Sequence, residues 1–252
     1  MLANQLQNNE IQDAFTPLEN YEPTLKEHMS ELRRRLLWCM SMVIISFFVS
    51  ATFFANDLMQ LLAMPIKERG IQFIYVGLSE ALTAQLKVSF IAAVVVSAPY
   101  IFWHIWSFIK PALYDNEMKA VLIFSFGSVI LFLIGVAFGY GVVFLSAITF
   151  FVYMGENIAT PMLSISQYVG FLFGFLLSFG IVFEMPVVMY VISKLGIISV
   201  EQMIALRKYM VLVIFIVAAF LTPPDVLSQT LMALPMLVLY EVGIWVAKIG
   251  AK

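Results

Sequence analysis

Glu184 stands inside one of the longest apolar runs of the chain, residues 168–192, where FGIVFEMPVVMYVI carries no other charge. A charge at the centre of a bilayer costs at least about 3 kcal/mol. The carboxyl must therefore be protonated, paired, or turned toward something wetter than lipid, and it is a candidate functional group on that ground alone. Two further carboxylates, Glu31 and Glu117, flank apolar runs, and Asp225 closes the tight sequence Thr222-Pro223-Pro224-Asp225. Other chemistries are poorly supplied. The two histidines, His28 and His104, are too few and too dispersed for a haem bundle or a di-metal site. The single cysteine, Cys39, lies within the first apolar run and permits neither a disulfide framework nor a thiolate metal site. No nucleotide-binding loop and no nucleophile–base pair is present, so neither an enzyme, a cofactor nor a nucleic-acid partner is expected.

The elements that hold these groups follow from composition. Of 252 residues 62% are hydrophobic and 12% charged, whereas a soluble domain is nearer one half and one quarter. The expected fold is an all-α, polytopic membrane protein. A spanning helix needs roughly 20 apolar residues, and six candidates occur, at about 36–55, 82–109, 119–153, 165–192, 209–221 and 226–246. The first follows Arg33-Arg34-Arg35; its apolar run is too long for a signal-peptide core and no A-x-A site follows, so it reads as a true span. Residues 1–22 read as a flexible polar tail and 23–252 as one six-span domain.

Cations set the expected orientation. One set of segments holds Lys26, Arg33, Arg34, Arg35, Lys110, Lys119, Lys194, Arg207, Lys208, Lys248 and Lys252, and the other only Lys67, Arg69 and Lys87. Eleven against three puts both termini in the cytoplasm. The longest loop, about 56–81, then lies on the opposite face. Span 3, with 35 helical residues, reaches about 50 Å against a core of about 30 Å. Span 5 has only about 13 apolar residues, and span 6 about 15 between Asp225 and Glu241. Short neighbouring helices imply a thinned bilayer, unless polar ends snorkel and the helices run on. Pro99, Pro186 and Pro235 are expected to kink their helices around a concavity. Gly135-x-x-x-Gly139 and Gly170-x-x-x-Gly174 are expected to let helices approach closely. Trp103, His104 and Trp106 read as an interfacial cluster at the end of span 2, and Glu241 as interfacial.

Several segments, taken in order, carry a resemblance. They are His28-Met29-Ser30-Glu31-Leu32-Arg33-Arg34-Arg35, Ser97-Ala98-Pro99, and Phe108-Ile109-Lys110-Pro111-Ala112-Leu113-Tyr114-Asp115-Asn116-Glu117. Phe183-Glu184-Met185-Pro186 and Thr222-Pro223-Pro224-Asp225 complete the set. Together they resemble the TatC family of the twin-arginine protein translocase, from about residue 23 onward. Met29, where the family commonly has leucine, is a small departure.

The resemblance implies a six-span concave bundle in the bacterial inner membrane. It implies a receptor for the twin-arginine signal peptides of folded precursors, working with TatA- and TatB-type single-span partners, as a homo-oligomer within a larger complex, on the proton gradient. It makes Glu31 and Glu117 the signal-peptide-binding pair, with Phe108 and Leu113 as supporting contacts. A guanidinium fork suits such carboxylates. It places Glu184 on the concave inner face and makes Asp225 a position needed for transport. It brings the partner helices to spans 5 and 6, where Gln229 and Thr230 can bond them. Pro65, in the external loop, would help cap the periplasmic side. Plainer roles stand beside these. Glu31 can pair with Arg34 or Arg35 at i+3 and i+4, Glu117 suits a helix N-terminus, and Asp225 can cap span 6. Two other functions fit parts of the sequence: a proton-coupled small-solute transporter with Glu184 as carrier, which leaves Glu31 and Glu117 unexplained, and a membrane scaffold.

Overall fold

The structure, a computed structural model, describes residues 25–113, 118–155, 162–222 and 225–250. Two compact units divide the chain, residues 1–37 and 38–252. The polar tail over 1–22 lies outside the described residues.

Among the described residues five helical runs are long and apolar enough to cross a membrane: His28–Lys67, Glu80–Ile109, Leu122–Gly155, Ile165–Lys194 and Val226–Ile249. The first comprises α1 (Leu25–Val49), a π-helical turn (Ser50–Phe54) and α2 (Ala55–Lys67). The expected loop over 56–81 is therefore half helix, and Pro65 belongs to the last turn of α2 instead of a loop. The reason is visible in the α2 sequence. Ala55, Leu58, Leu62, Ala63 and Ile66 recur at helical spacing and are turned inward, while Asp57 in the first turn and Lys67 in the last suit the helix dipole. Pro65 lacks the N–H that would bond Leu61, so the ladder of α2 loses one bond shortly before the helix ends. Gly70, at φ +74°, then reverses the chain. The Ile71 N–H reaches back to the Ile66 carbonyl at 3.4 Å, a closure that needs the left-handed conformation glycine adopts freely.

Helix α3 (Glu80–Leu113) is 34 residues long and continues through Pro99. The third span is α4 (Met118–Phe138), a second π-helical segment (Gly139–Phe144) and α5 (Leu145–Gly155), close to the length expected. A two-stranded parallel sheet, absent from the all-α expectation, joins β1 (Gln72–Ile74) to β2 (Met162–Ser164), with Phe73 opposite Leu163. Three residues per strand leave no alternation to detect in a sequence.

Span 4 is two helices, α6 (Ile165–Val182) and α7 (Met185–Lys194). Pro186 sits in the first turn of α7, where an absent N–H costs least. At the break the ladder tightens to i→i−3 bonds, Glu184 N–H to the Ile181 carbonyl at 3.1 Å and Val187 N–H to the Glu184 carbonyl at 3.0 Å. A short α8 (Val200–Ala205) leads to α9 (Arg207–Leu221) and α10 (Val226–Gly250). With 15 residues, α9 is short as expected, about 22 Å. The 25-residue α10 is not short, because it runs past Glu241 to Gly250.

The core of the larger unit is aromatic. Phe144, Phe175 and Phe179 are fully buried; Phe175 lies edge-on to Phe144 and tilted to Phe179. Gly135 and Gly139 admit this packing. A Cβ on Gly135 would come within 2.5 Å of the Phe179 carbonyl oxygen, and one on Gly139 within 2.9 Å of the Phe179 Cβ. The second glycine pair behaves differently. Gly174 faces the last carbonyl of α9, whereas Gly170 faces the Lys87 ammonium.

Candidate functional site

Glu184 occupies the break between α6 and α7, so the same Pro186 that ends α6 brings the carboxyl inward. The residue is 9% exposed. It lines a cavity of about 500 Å³ between α3, α4, α6 and α7, whose other walls include Ile101, Ile105, Phe132, Val188 and Ile192. Two polar side chains share that wall, Trp106 and Ser128. The Trp106 indole N–H donates to Ser128 Oγ at 3.0 Å, and Ser128 shares the cavity wall with Glu184. Glu184 Oε1 is buried and has no hydrogen-bond partner. Trp106 is 6% exposed and stacks on Phe124 at 4.9 Å. This corrects the interfacial reading of Trp106; α3 turns it toward α4. Trp103, 37% exposed, fits the belt, and His104 packs edge-on against Tyr100.

The end of the larger unit that carries β1 and β2 is tied by polar bonds. The Tyr168 hydroxyl donates to the Leu62 carbonyl at 2.6 Å and the Tyr140 hydroxyl to the same oxygen at 3.4 Å. Leu62 lies one turn before Pro65, so α2, α6 and the π-helical segment meet at the last turns of α2. The Arg69 guanidinium donates to Thr149 Oγ1 at 2.5 Å, and Ser164 Oγ to Glu80 Oε2 at 3.1 Å. Gln85 Nε2 reaches Asn56 Oδ1 at 2.9 Å.

Asp225 caps α10: its Oδ1 accepts from the Ser228 N–H at 2.7 Å. Oδ2 is buried and has no partner. Gln229 Nε2 donates to the Phe215 carbonyl at 3.0 Å and so ties α10 to α9. The Thr230 hydroxyl turns back to the Val226 carbonyl at 2.6 Å. Gln229 has a second N–H and a carbonyl beyond this bond, and Thr230 keeps acceptor capacity. Glu241 pairs with Arg207 at 2.7 Å, both about half exposed. The pair joins the first residue of α9 to α10. Between α7 and α8, Gly196, at φ +69°, closes the helix end, and Ser199 and Gln202 form a reciprocal cap on α8. The Glu201 carboxyl beside it is held below the usual carboxylate range by its own backbone N–H and by the Ser199 hydroxyl.

In the smaller unit, both Arg35 Nε and Nη2 donate to one oxygen of Glu31, Oε1, at 2.9 and 2.6 Å. The pairing anticipated from spacing is therefore formed. It leaves Oε2 outside the bond, on a side chain 43% exposed. Phe108 is half-buried near the end of α3, and Leu113 is the last residue of that helix. Glu117 lies outside the described residues. No cluster of metal-ligating side chains occurs among the described residues. The Trp106–Ser128 contact and the two tyrosine bonds to Leu62 leave no mark in the sequence, because each depends on the register between separate helices.

Comparison with known proteins gives one answer at every level. A family model described as Sec-independent protein translocase protein (TatC) matches residues 27–235. The Sec-independent protein translocase protein TatC of Carboxydothermus hydrogenoformans is 38% identical over 232 residues, covering 92% of this chain and 95% of its own. That of Helicobacter pylori strain 26695 is 40% identical over 224 residues, covering 89% and 87%. That of Escherichia coli K12 is 35% identical over 234 residues, covering 92% and 90%. A crystal structure described as the twin arginine translocase receptor TatC superposes with a TM-score of 0.83 at 35% identity, covering 90% of this chain and 100% of the other.

Proposed function

The chain belongs to the TatC family of Sec-independent protein translocase proteins, and from that premise we propose that it is the membrane receptor that binds twin-arginine signal peptides. In this reading it holds folded precursors by those peptides and assembles with TatA- and TatB-type single-span partners for export driven by the proton gradient. The family is one of transport proteins rather than enzymes, and the chain is a polytopic all-α membrane protein. Both termini face the cytoplasm in this proposal, on the strength of eleven cations against three. Glu31 and Glu117 are then the signal-peptide-binding pair, with Phe108 and Leu113 as supporting contacts, and several copies of the chain act in one complex.

The observation that carries the reading is the half-used carboxylate of Glu31. Its Oε1 holds Arg35, while Oε2 is left for a second guanidinium. A charged hydrogen bond is worth about 1.5–3 kcal/mol, and Arg35 must yield or share when the peptide arrives. Peptide affinity measured on the full chain in membranes tests it. Glu31→Ala or Glu117→Ala weakens a twin-arginine peptide by about 1–3 kcal/mol, and a twin-lysine peptide serves as control because it lacks the fork. Unchanged affinity in both variants would sink the assignment.

Glu184 has a different part in this proposal. It is a polar point in a wall that accepts an incoming helix, with Asp225, Gln229 and Thr230 serving α9 and α10 where single-span partners dock, and Pro65 shaping the periplasmic cap. Glu184→Gln separates hydrogen bonding from proton handling. Retained export supports the bonding role, and lost export with intact precursor binding restores the proton role.

A further inference from the structure

We propose that the groove between the first span and α3 binds one phospholipid whose headgroup carries an ammonium, with an acyl chain along the groove and the headgroup at Asp57. The groove encloses about 660 Å³, and the first span lines it with Ile45, Val49, Phe54, Leu58 and Leu61. On the side of α3 it is closed by Ala92 and Val96. The Glu184 cavity takes Val94 and Ala98 from the same helix. Two residues turn a helix by about 200°, so the two spaces lie on opposite sides of α3. The π-helical turn (Ser50–Phe54) shapes the groove. Ile45 to Val49 and Phe54 to Leu58 are steps of four residues, but Val49 to Phe54 is a step of five. In an unbroken α-helix that fifth residue would fall about 100° beyond the stripe. The wider turn keeps the stripe in line, and such turns are frequent at functional sites.

Length and charge select the occupant. A charge does not stay in hydrocarbon, so Asp57, on the groove wall and exposed, marks headgroup level. From Asp57 to Ile45 the helix descends about 18 Å, and half a hydrocarbon core is about 15 Å. The groove therefore has the depth of one leaflet. A partner helix crosses both leaflets, whereas an acyl chain ends at the midplane. Asp57 has no ion-pair partner among the described residues, and a carboxylate there repels a bare phosphate and attracts an ammonium. Beside it, Gln85 Nε2 donates to Asn56 Oδ1 at 2.9 Å. The remaining amide N–H groups of both residues are donors for phosphate oxygens. Deeper in the groove, Ser50 is 7% exposed and its Oγ has no partner. Lying about 10 Å below Asp57, it supplies one donor for an acyl ester carbonyl, a group that apolar side chains of a helix do not bring.

Photo-labelling of the full chain in phosphatidylglycerol vesicles tests this. The probes are phospholipids with a photo-reactive group midway along one acyl chain and an ethanolamine, choline or glycerol headgroup. Peptide mapping counts adducts on Val49, Ala92 and Val96 against those on Ile134 and Val142, which are exposed on the third span. The ethanolamine probe labels the groove about twofold to fivefold more than the glycerol probe, the range of a partly exposed ion pair. Choline, charged but without N–H groups, falls between. Asp57→Asn removes the preference and Asp57→Glu keeps it, while Ala92→Leu fills the groove and lowers labelling by all three probes. Equal labelling by the three headgroups in the unaltered chain overturns the ammonium site and leaves ordinary boundary lipid. A preference that survives Asp57→Asn overturns the placement of the headgroup. Groove adducts no more frequent than those on the third span overturn the site as a whole. The measurement involves no signal peptide and no export, so failure of the receptor reading is seen separately, in peptide affinity.

Discussion

Two regions of the larger unit treat polar groups in opposite ways. At the end carrying β1 and β2, hydroxyls, amides and a guanidinium are tied across elements: Tyr168 to Leu62, Arg69 to Thr149, Ser164 to Glu80, Gln85 to Asn56. Around Glu184 the helix is broken, the walls are apolar, and a carboxyl oxygen is left unpaired beside open space. The first arrangement lowers the free energy of the folded chain and fixes register. The second raises it and keeps a place open. Sites of function are drawn from the less stable end of a structure, and the difference predicts that stability and export respond separately to substitution.

The largest effect on stability is expected between these regions, where α4 crosses α6. Gly135→Ala places a Cβ 2.5 Å from the Phe179 carbonyl and 2.8 Å from the Phe183 Cβ. Backbone and side chain both have to move, at a cost of about 1–3 kcal/mol or more. Gly141→Ala is the matched control, since nothing lies within 4 Å of its Cβ position. Thermal unfolding in detergent should separate the two by several degrees. Equal melting would mean that α4 and α6 lie farther apart than the structure has them.

The comparison is sharpened most by Glu184→Leu. Removing an unsatisfied buried oxygen relieves about 1–3 kcal/mol of desolvation, and leucine continues the apolar wall. The variant is expected to melt at or above the temperature of the unaltered chain and to lose export in a vesicle assay. Lower melting with export intact would make Glu184 a structural residue. At the tied end the sign reverses. Tyr168→Phe removes a 2.6 Å bond to Leu62 and leaves that carbonyl with only the 3.4 Å bond from Tyr140, at a cost of about 1 kcal/mol in unfolding free energy. Tyr140→Phe should cost less, and the double variant more than the sum, because the two hydroxyls share one acceptor.

How far the sequence carries an argument differs between the same regions. The break at Glu184 is legible because a charge and a proline stand together in an apolar run, and both signals are local. The spans are legible for the same reason, being long and apolar. Helix α2 is less so. Its polar face of Asn56, Asp57 and Gln60 ends the apolar run, and only the spacing of Leu58, Leu62 and Ile66 records that the helix continues. The Trp106–Ser128 bond joins residues 22 apart on different helices. Nothing in either segment shows it, because it depends on how α3 and α4 are turned about their axes. Strands of three residues and the tyrosine bonds to Leu62 are hidden in the same way.

The smallest effect concerns α10, a long helix whose apolar segment is short. The apolar segment between Asp225 and Glu241 is as short as α9, and the helix continues beyond it. Arg207 opens α9 and Glu241 stands one apolar segment into α10, so their 2.7 Å pair sets the ends of two short segments at one level. Being half exposed, such a pair is worth about 0–1 kcal/mol. Arg207→Ala and Glu241→Ala should each lower stability by no more than that, with a double-mutant coupling of a few tenths of a kcal/mol that fades in high salt. A larger, salt-insensitive coupling would show the pair shielded from water, and the two helices would then sit deeper than their charges indicate. Lengthening the apolar part of α9 by one turn is the more telling change. It separates Arg207 from Glu241 by about 5 Å, leaves the pocket residues around Glu184 untouched, and asks whether the shortness of α9 serves export or only matches its neighbour.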